Sequence, residues 1–133
     1  MINREVFKIA LNTKNFGSID NHTHFSSLKN PMCGDQIKIY LILKKDKITK
    51  FKYEGNSCIY CQASASLLAK TAKNKSVNKV NNFIKKANNL FDKKIRFSDK
   101  KWKIFLKIMN KKNSSRKECL LLPLKATIKA LKN

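Results

Sequence analysis

The sequence predicts an α+β fold: a small antiparallel sheet with helices packed on one face. Two observations carry this expectation. Between residues 36 and 55 apolar and polar residues alternate, as in half-buried strands; from residue 61 onward apolar residues recur at helical spacing. The order helix, strands, helices then puts the strands in one sheet with the helices laid against it. At 133 residues and 42% hydrophobic composition, the chain is expected to form a single domain, residues 1–133, with a real core.

Residues 3–11, NREVFKIAL, predict a short helix with Asn3 as N-cap and Glu5 in the first turn. Val6, Phe7, Ile9 and Ala10 lie toward one side of it. NTKNFGSIDN reads as a loop around Gly17. HTHFSSL (22–28) is expected as a short strand. Its alternation puts His22 and His24 on one side, where they are candidate ligands but read better as surface residues of an edge strand. KNPMCGD (29–35) is a turn in which Pro31 fixes the chain and Gly34 lets it bend between Cys33 and Asp35. From Gln36, residues Ile37, Ile39, Leu41 and Leu43 face one way, with Lys38, Tyr40, Ile42 and Lys44 opposite. KKDK (44–47) is a tight turn. ITKFKYEG (48–55) alternates again, with Thr49, Phe51 and Tyr53 on one face, which completes an antiparallel meander.

The second half is helical in character. CQASASLLAKTAK (61–73) is rich in good helix formers. SVNKVNNFIKKANNLF (76–91) starts at a capping Ser76 and spaces Val77, Val80, Phe83, Ile84 and Ala87 along one face. SDKKWKIFLKIM (98–109) repeats the pattern behind Ser98 through Trp102, Phe105, Leu106 and Met109. Here Trp102 and Phe105 read as core residues. SSRKECLLLPLKATIKALKN (114–133) is helical in its second half, and Pro123 suits a first helical turn better than an interior. There is no internal repeat.

Lysine and arginine number 30 against 8 acidic residues, a net charge of +22. Such a charge suggests nucleic acid as a partner. The detail argues otherwise. Arginine occurs only at Arg4, Arg96 and Arg116, and lysines run from Lys8 to Lys132 without gathering into a stripe. Base readout and phosphate clamping favour arginine's forked guanidinium. The charge therefore reads as a solvated background with weak nonspecific polyanion binding, and no specific nucleic-acid partner is expected. A basic nucleic-acid-binding module with a structural zinc is the remote alternative. No run of about eighteen apolar residues exists, so no membrane span is expected. The N-terminal stretch lacks the layout of a secretory leader, which places the protein in the cytoplasm.

In a reducing compartment, Cys33, Cys58, Cys61 and Cys119 point to metal or sulfur chemistry before disulfides. Cys33 and Asp35 stand on the turn entering one strand, and Cys58 on the loop leaving the next. In an antiparallel hairpin these two points are neighbours, so Cys33, Asp35 and Cys58 converge. Cys119 is a candidate fourth ligand, since thiolates with a carboxylate make a reasonable zinc or iron set. Helix N-termini would favour thiolate character at Cys58 and Cys119. Residue patterns alone leave open whether these are a site or scattered thiols.

Three blocks, NPMCGDQIKI, FKYEGNSCIYCQASASLLA and RKECLLLPLKATIKAL, resemble the signature segments of the iron–sulfur cluster assembly scaffolds, the IscU, SufU and NifU N-terminal proteins. LNTKNFGSI is similar to a weakened form of a further family segment. The C-G-D and A-S-A-S motifs, with Cys33 and Cys58 twenty-five residues apart, make the resemblance specific, and it spans nearly the whole chain. It implies a three-stranded antiparallel sheet backed by helices. It further implies a site of Cys33, Asp35, Cys58 and Cys119 that accepts sulfur from a cysteine desulfurase. That site would bind iron, a transient cluster ([2Fe–2S] first) or zinc and serve apo iron–sulfur proteins or carriers, with Asp35 as the labile ligand. Whether such a protein is an enzyme stays open: a non-enzymatic scaffold is the first reading and a sulfurtransferase the alternative. Glu118 stands where IscU-type scaffolds carry a histidine, no L-P-P-V-K segment is found, and Cys58 and Cys119 lie 61 residues apart, as in SufU-like members. The SufU-like branch implies a zinc-dependent sulfurtransferase with Cys33 as sulfur acceptor; an IscU-like mechanism would use Cys119. Cys61 departs from the family pattern. It reads as a buried or half-exposed thiol, with a substitute ligand or a holder of sulfur in transit as the alternatives. Ser64 and Ser66 lack a readable His/Asp partner and are expected to pack as small residues against the sheet.

Overall fold

The structure is a computed structural model that describes residues 3–92, 97 and 99–132. Helix α1 (Arg4–Ala10) is capped as expected: the Asn3 side chain accepts hydrogen bonds from the Glu5 and Val6 amides. Val6 and Ala10 are buried, but Phe7 is 44% exposed, because seven residues cover less than two full turns of buried stripe. Strands β1 (His24–Lys29), β2 (Gln36–Lys44) and β3 (Lys47–Glu54) form one antiparallel sheet in the order β1-β2-β3. Lys45 and Asp46 both have positive φ, 50° and 63°, as a two-residue hairpin turn matched to strand twist requires.

Ile37, Ile39 and Leu41 are buried on the helix-covered face, as their alternation predicts. On β3 the expected face of Thr49, Phe51 and Tyr53 is broken. The register shifts opposite Ile42 and Leu43: Lys50 pairs with Ile42 and Ile48 with Leu43, leaving Thr49 as the extra residue. A bulge of this kind moves the side-chain alternation by one. Ile48 enters the core instead, and the Thr49 hydroxyl donates to the Ile42 carbonyl at 3.0 Å.

Helix α2 (Ile59–Ala72) begins two residues before the predicted start and lies in the middle of the molecule. Its Ala63, Ala65, Ala69 and Ala72 are almost wholly buried and leave room for close neighbours. Helix α3 (Val77–Ala87) is capped by Ser76, whose hydroxyl accepts from the Lys79 amide, and buries Val80, Phe83, Ile84 and Ala87. The expected cap Ser98 lies outside the described residues; Asp99 caps the next segment, accepting from the Lys101 amide at 2.9 Å. That segment, Lys100–Lys107, is a 3-10 helix. With three residues per turn its buried line is Trp102, Phe105 and Ile108, and the expected core residue Leu106 is left 43% exposed.

Helix α4 (Lys117–Leu131) starts earlier than predicted and carries Pro123 in its interior, not in its first turn. Proline there removes the amide that would bond the Cys119 carbonyl four residues back. Pro123 is the seventh residue of the helix, so the lost bond lies one turn inside it and the Cys119 carbonyl is left without its intrahelical partner. Side chains tie α4 down on both sides. Ser64 of α2 donates to the Leu120 carbonyl at 2.6 Å, and Ser26 of β1 to the Ala126 carbonyl at 2.6 Å. Ser64 and Ser66 are therefore buried linkers as well as small residues, Ser66 donating to Asn12 at 3.0 Å. Among the described residues no helix is long and apolar enough to cross a membrane.

Candidate metal and sulfur site

The turn between β1 and β2 is organised by Asn30. Its carbonyl accepts from the Gly34 amide (2.8 Å), its side chain accepts from the Met32 amide (2.9 Å), and its own amide donates to the Asp35 carbonyl (2.8 Å). Gly34 takes φ +79°, a region that suits glycine. The result is an exposed Cys33 at the tip and a buried Asp35 behind it. The signal for Asn30 was in the sequence, since Asn before Pro favours side-chain-bonded turns.

At the open end of the hairpin, the Gln36 amide donates to the Asn56 carbonyl at 2.8 Å. Gly55 comes so near that a β-carbon on it would lie 2.2 Å from the Gln36 carbonyl oxygen. This closure carries Cys58 alongside Asp35: the Cys58 amide donates to Asp35 Oδ1 at 3.1 Å. Cys58 is the N-cap of α2, and its thiol makes no capping bond. From the other side, α4 delivers Cys119 in its first turn, 7% exposed.

Cys33, Asp35 and Cys119 each offer a ligand atom, and these three atoms lie within 4.8 Å of one another. Cys58 is not in that group of three; it neighbours Cys119 and disfavours a thiolate there. Asp35 Oδ2 is buried and has no hydrogen-bond partner among the described residues. A buried carboxylate oxygen left bare is costly, and a cation between it and two thiolates would remove the cost. Soft sulfur with one hard oxygen suits zinc or iron, so the donor chemistry fits.

Burial, followed by the nearby Cys58, Cys33 and Asp35, pushes the Cys119 thiol up to about 12. The expected lowering by the helix N-terminus is overridden there, because desolvation and negative neighbours both disfavour a second thiolate. Cys61 is wholly buried in the first turn of α2, and burial pushes its thiol up more strongly still. It stands outside the group of three ligand atoms. His22 and His24 are likewise apart from them: His22 rests its ring against Phe25 and Tyr40, and His24 pairs with the Thr23 hydroxyl.

Fold and site together define a small α+β protein with a thiol–carboxylate cluster at the mouth of a hairpin. Residues 1–96 match the NifU-like N terminal domain family. The chain is 32% identical over 122 residues to the iron–sulfur cluster assembly scaffold protein IscU of Thermotoga maritima, covering 91% of this chain and 86% of that one. It is 33% identical over 66 residues to the zinc-dependent sulfurtransferase SufU of Bacillus subtilis, covering 50% of this chain and 44% of SufU. Among solved structures, a putative SUF-system scaffold protein from Fervidobacterium islandicum superposes with a TM-score of 0.85 at 28% identity, covering 98% of this chain and 96% of that chain. The protein belongs to the NifU-like N-terminal domain family.

Proposed function

We propose that this chain is an iron–sulfur cluster assembly scaffold. It takes sulfur from a cysteine desulfurase and holds iron, nascent cluster or zinc on Cys33, Asp35, Cys58 and Cys119. The observation that carries the reading is the buried, unpartnered Asp35 Oδ2 in a group whose other ligand atoms are the Cys33 and Cys119 thiols. The scaffold and sulfurtransferase relatives from Thermotoga and Bacillus support it.

Sulfur would arrive by exchange. An acceptor thiolate attacks the terminal sulfur of a desulfurase persulfide, a new S–S bond forms here, and the desulfurase thiolate leaves. Cys33 is best placed for this first contact, being exposed on the tip of its turn while Cys119 and Asp35 sit behind it. Asp35 and the Cys58 amide orient each other, which keeps the carboxylate turned toward the thiols. A bound metal would hold the ligating cysteines as thiolates, against the burial that otherwise keeps Cys119 protonated.

Protein purified without oxygen is expected to carry about one zinc, or to take up a labile reddish-brown cluster on reconstitution. Cys33→Ser, Cys58→Ser and Cys119→Ser should each lose most of that binding; parent-like binding in all three would make the ligand assignment wrong. The similarity to SufU, and Glu118 directly before Cys119, favour a second reading: zinc-dependent sulfur transfer without a held cluster. Desulfurase turnover stimulated by zinc-loaded protein, with no cluster formed when iron is supplied, would select it.

A further inference from the structure

The ligand set leaves Cys61 unused, although it is the residue in the site region most protected from solvent. Its position is specific. Cys58 is the N-cap of α2 and Cys61 the third residue of its first turn. Residues three apart on a helix have Cα atoms about 5 Å apart, inside the roughly 4.4–6.8 Å window that a disulfide spans. The Cys58 thiol is half-buried and free of any capping role, whereas Cys61 is wholly buried. Burial keeps Cys61 from solvent and external thiols, and Cys58, three residues earlier, is the thiol nearest to it along the chain. Cys58, Cys119 and Asp35 lie within electrostatic reach of the Cys61 thiol.

We propose that Cys61 is a resolving thiol that converts persulfide sulfur on Cys58 into free sulfide inside the site. This rests on the sulfur-accepting function argued above and supplies a step that it lacks. Sulfur arrives as persulfide, at the oxidation level of elemental sulfur, whereas cluster assembly consumes sulfide, two electrons more reduced. Sulfane sulfur taken up on Cys33 passes to Cys119, whose ligand atom lies within 4.8 Å, and then to Cys58, each time by exchange: the receiving thiolate attacks the terminal sulfur and the donor thiolate leaves. Cys61 then attacks the inner sulfur of the Cys58 persulfide. The Cys58–Cys61 S–S bond forms, the Cys58–sulfane bond breaks, and the outer sulfur leaves as HS⁻, taking the Cys61 proton to become H₂S. The two thiols supply the two electrons and are together oxidised to one disulfide. An external dithiol must reduce that disulfide before a second turnover. Because Cys58 is also a proposed ligand, the reaction belongs to the metal-free chain.

The test uses the full-length, metal-free protein under anaerobic conditions, with inorganic polysulfide as the probe, so that loading does not depend on a desulfurase. After brief loading and desalting, the intact mass and dissolved sulfide are followed without added thiol. The parent protein is expected to lose its added sulfur and become two mass units lighter than the reduced chain. It should release close to one sulfide per lost sulfur, with peptide mapping placing the disulfide between Cys58 and Cys61. Cys61→Ala should keep the added sulfur at least tenfold longer. Equal lifetimes in the two proteins would overturn the proposal, as would a disulfide from Cys58 to Cys33 or Cys119, or no sulfur on Cys58 in Cys61→Ala. A separate arm with a cysteine desulfurase and cysteine reads sulfur acceptance by Cys61→Ala. Failure there removes the scaffold function and leaves the polysulfide result standing by itself.

Discussion

At the scale of single residues, two positions show how local chemistry holds the frame around the site. Tyr40, on the sheet face away from the helices, donates a short hydrogen bond to Glu54 on the neighbouring strand. That bond, then partial burial and the carboxylate's charge, raise the phenol from 10.0 to about 12. The folded value lies above the unfolded one, so the contribution to stability is fully present below pH 10 and is lost as pH rises toward 12. Glu54→Gln should bring the Tyr40 titration back toward 10, read by NMR of the labelled ring; an unmoved titration would remove Glu54 as the cause. Gly55 is the second position. At φ +145°, with the Gln36 backbone where a side chain would begin, it admits no β-carbon. Gly55→Ala is expected to cost at least about 2 kcal/mol in urea unfolding. It should also loosen the loop that carries Cys58. The sequence showed Gly55 only as a strand terminator; its contact with Gln36 follows from hairpin closure, which no local pattern encodes.

At the scale of elements, the legible parts were those whose period persists. The β2 alternation and the α3 stripe run long enough to identify themselves, and Asn3 and Ser76 capped where expected. The convergence of Cys33 and Asp35 with the Cys58 loop was legible too, because hairpin connectivity forces it. Three features were hidden, each where a tertiary contact outweighs local preference. The bulge at Thr49 shifted the β3 face, the 3-10 winding of residues 100–107 moved the buried line off Leu106, and α4 ran through Pro123. The segment after α3 is anchored by one further element-scale device. Lys75, 7% exposed, meets Asp99 at 3.0 Å and stands 5.3 Å from the centre of the Trp102 ring, itself stacked on Phe83 at 4.1 Å. Asp99→Asn keeps the capping oxygen but leaves the buried ammonium without a counter-charge. It should lower the urea unfolding midpoint and shift Trp102 fluorescence to longer wavelength as the segment loosens. Unchanged unfolding midpoint and emission would assign the anchoring to the ring stack alone.

At the scale of the whole molecule, fold and charge pull in opposite directions. One hydrophobic cluster joins α1, the inner sheet face, α2, α3, the 3-10 segment and α4. The sequence carries 30 basic and 8 acidic side chains. Among the described residues just two ion pairs form, Lys75–Asp99 and the exposed Lys125–Glu118. Surface lysine is therefore mostly unopposed, and a net charge of +22 on a chain of 15.4 kDa repels itself in the compact state. Salt should relieve this, because the Debye length shrinks from about 30 Å at 0.01 M to about 8 Å at 0.15 M. An ordinary domain with balanced charge would show little change. Here the thermal midpoint of the metal-free protein should rise by roughly 3–6 °C over that range, about 1 kcal/mol in stability. Chloride salts of sodium and potassium should act alike if screening is the cause. A flat midpoint would mean that the lysines are spaced widely enough to be neutral toward folding. A jump with micromolar polyphosphate but none with chloride would instead mean that the charge is gathered into a true anion site. The scatter of lysines from Lys8 to Lys132 argues for the smooth response to ionic strength and against the jump.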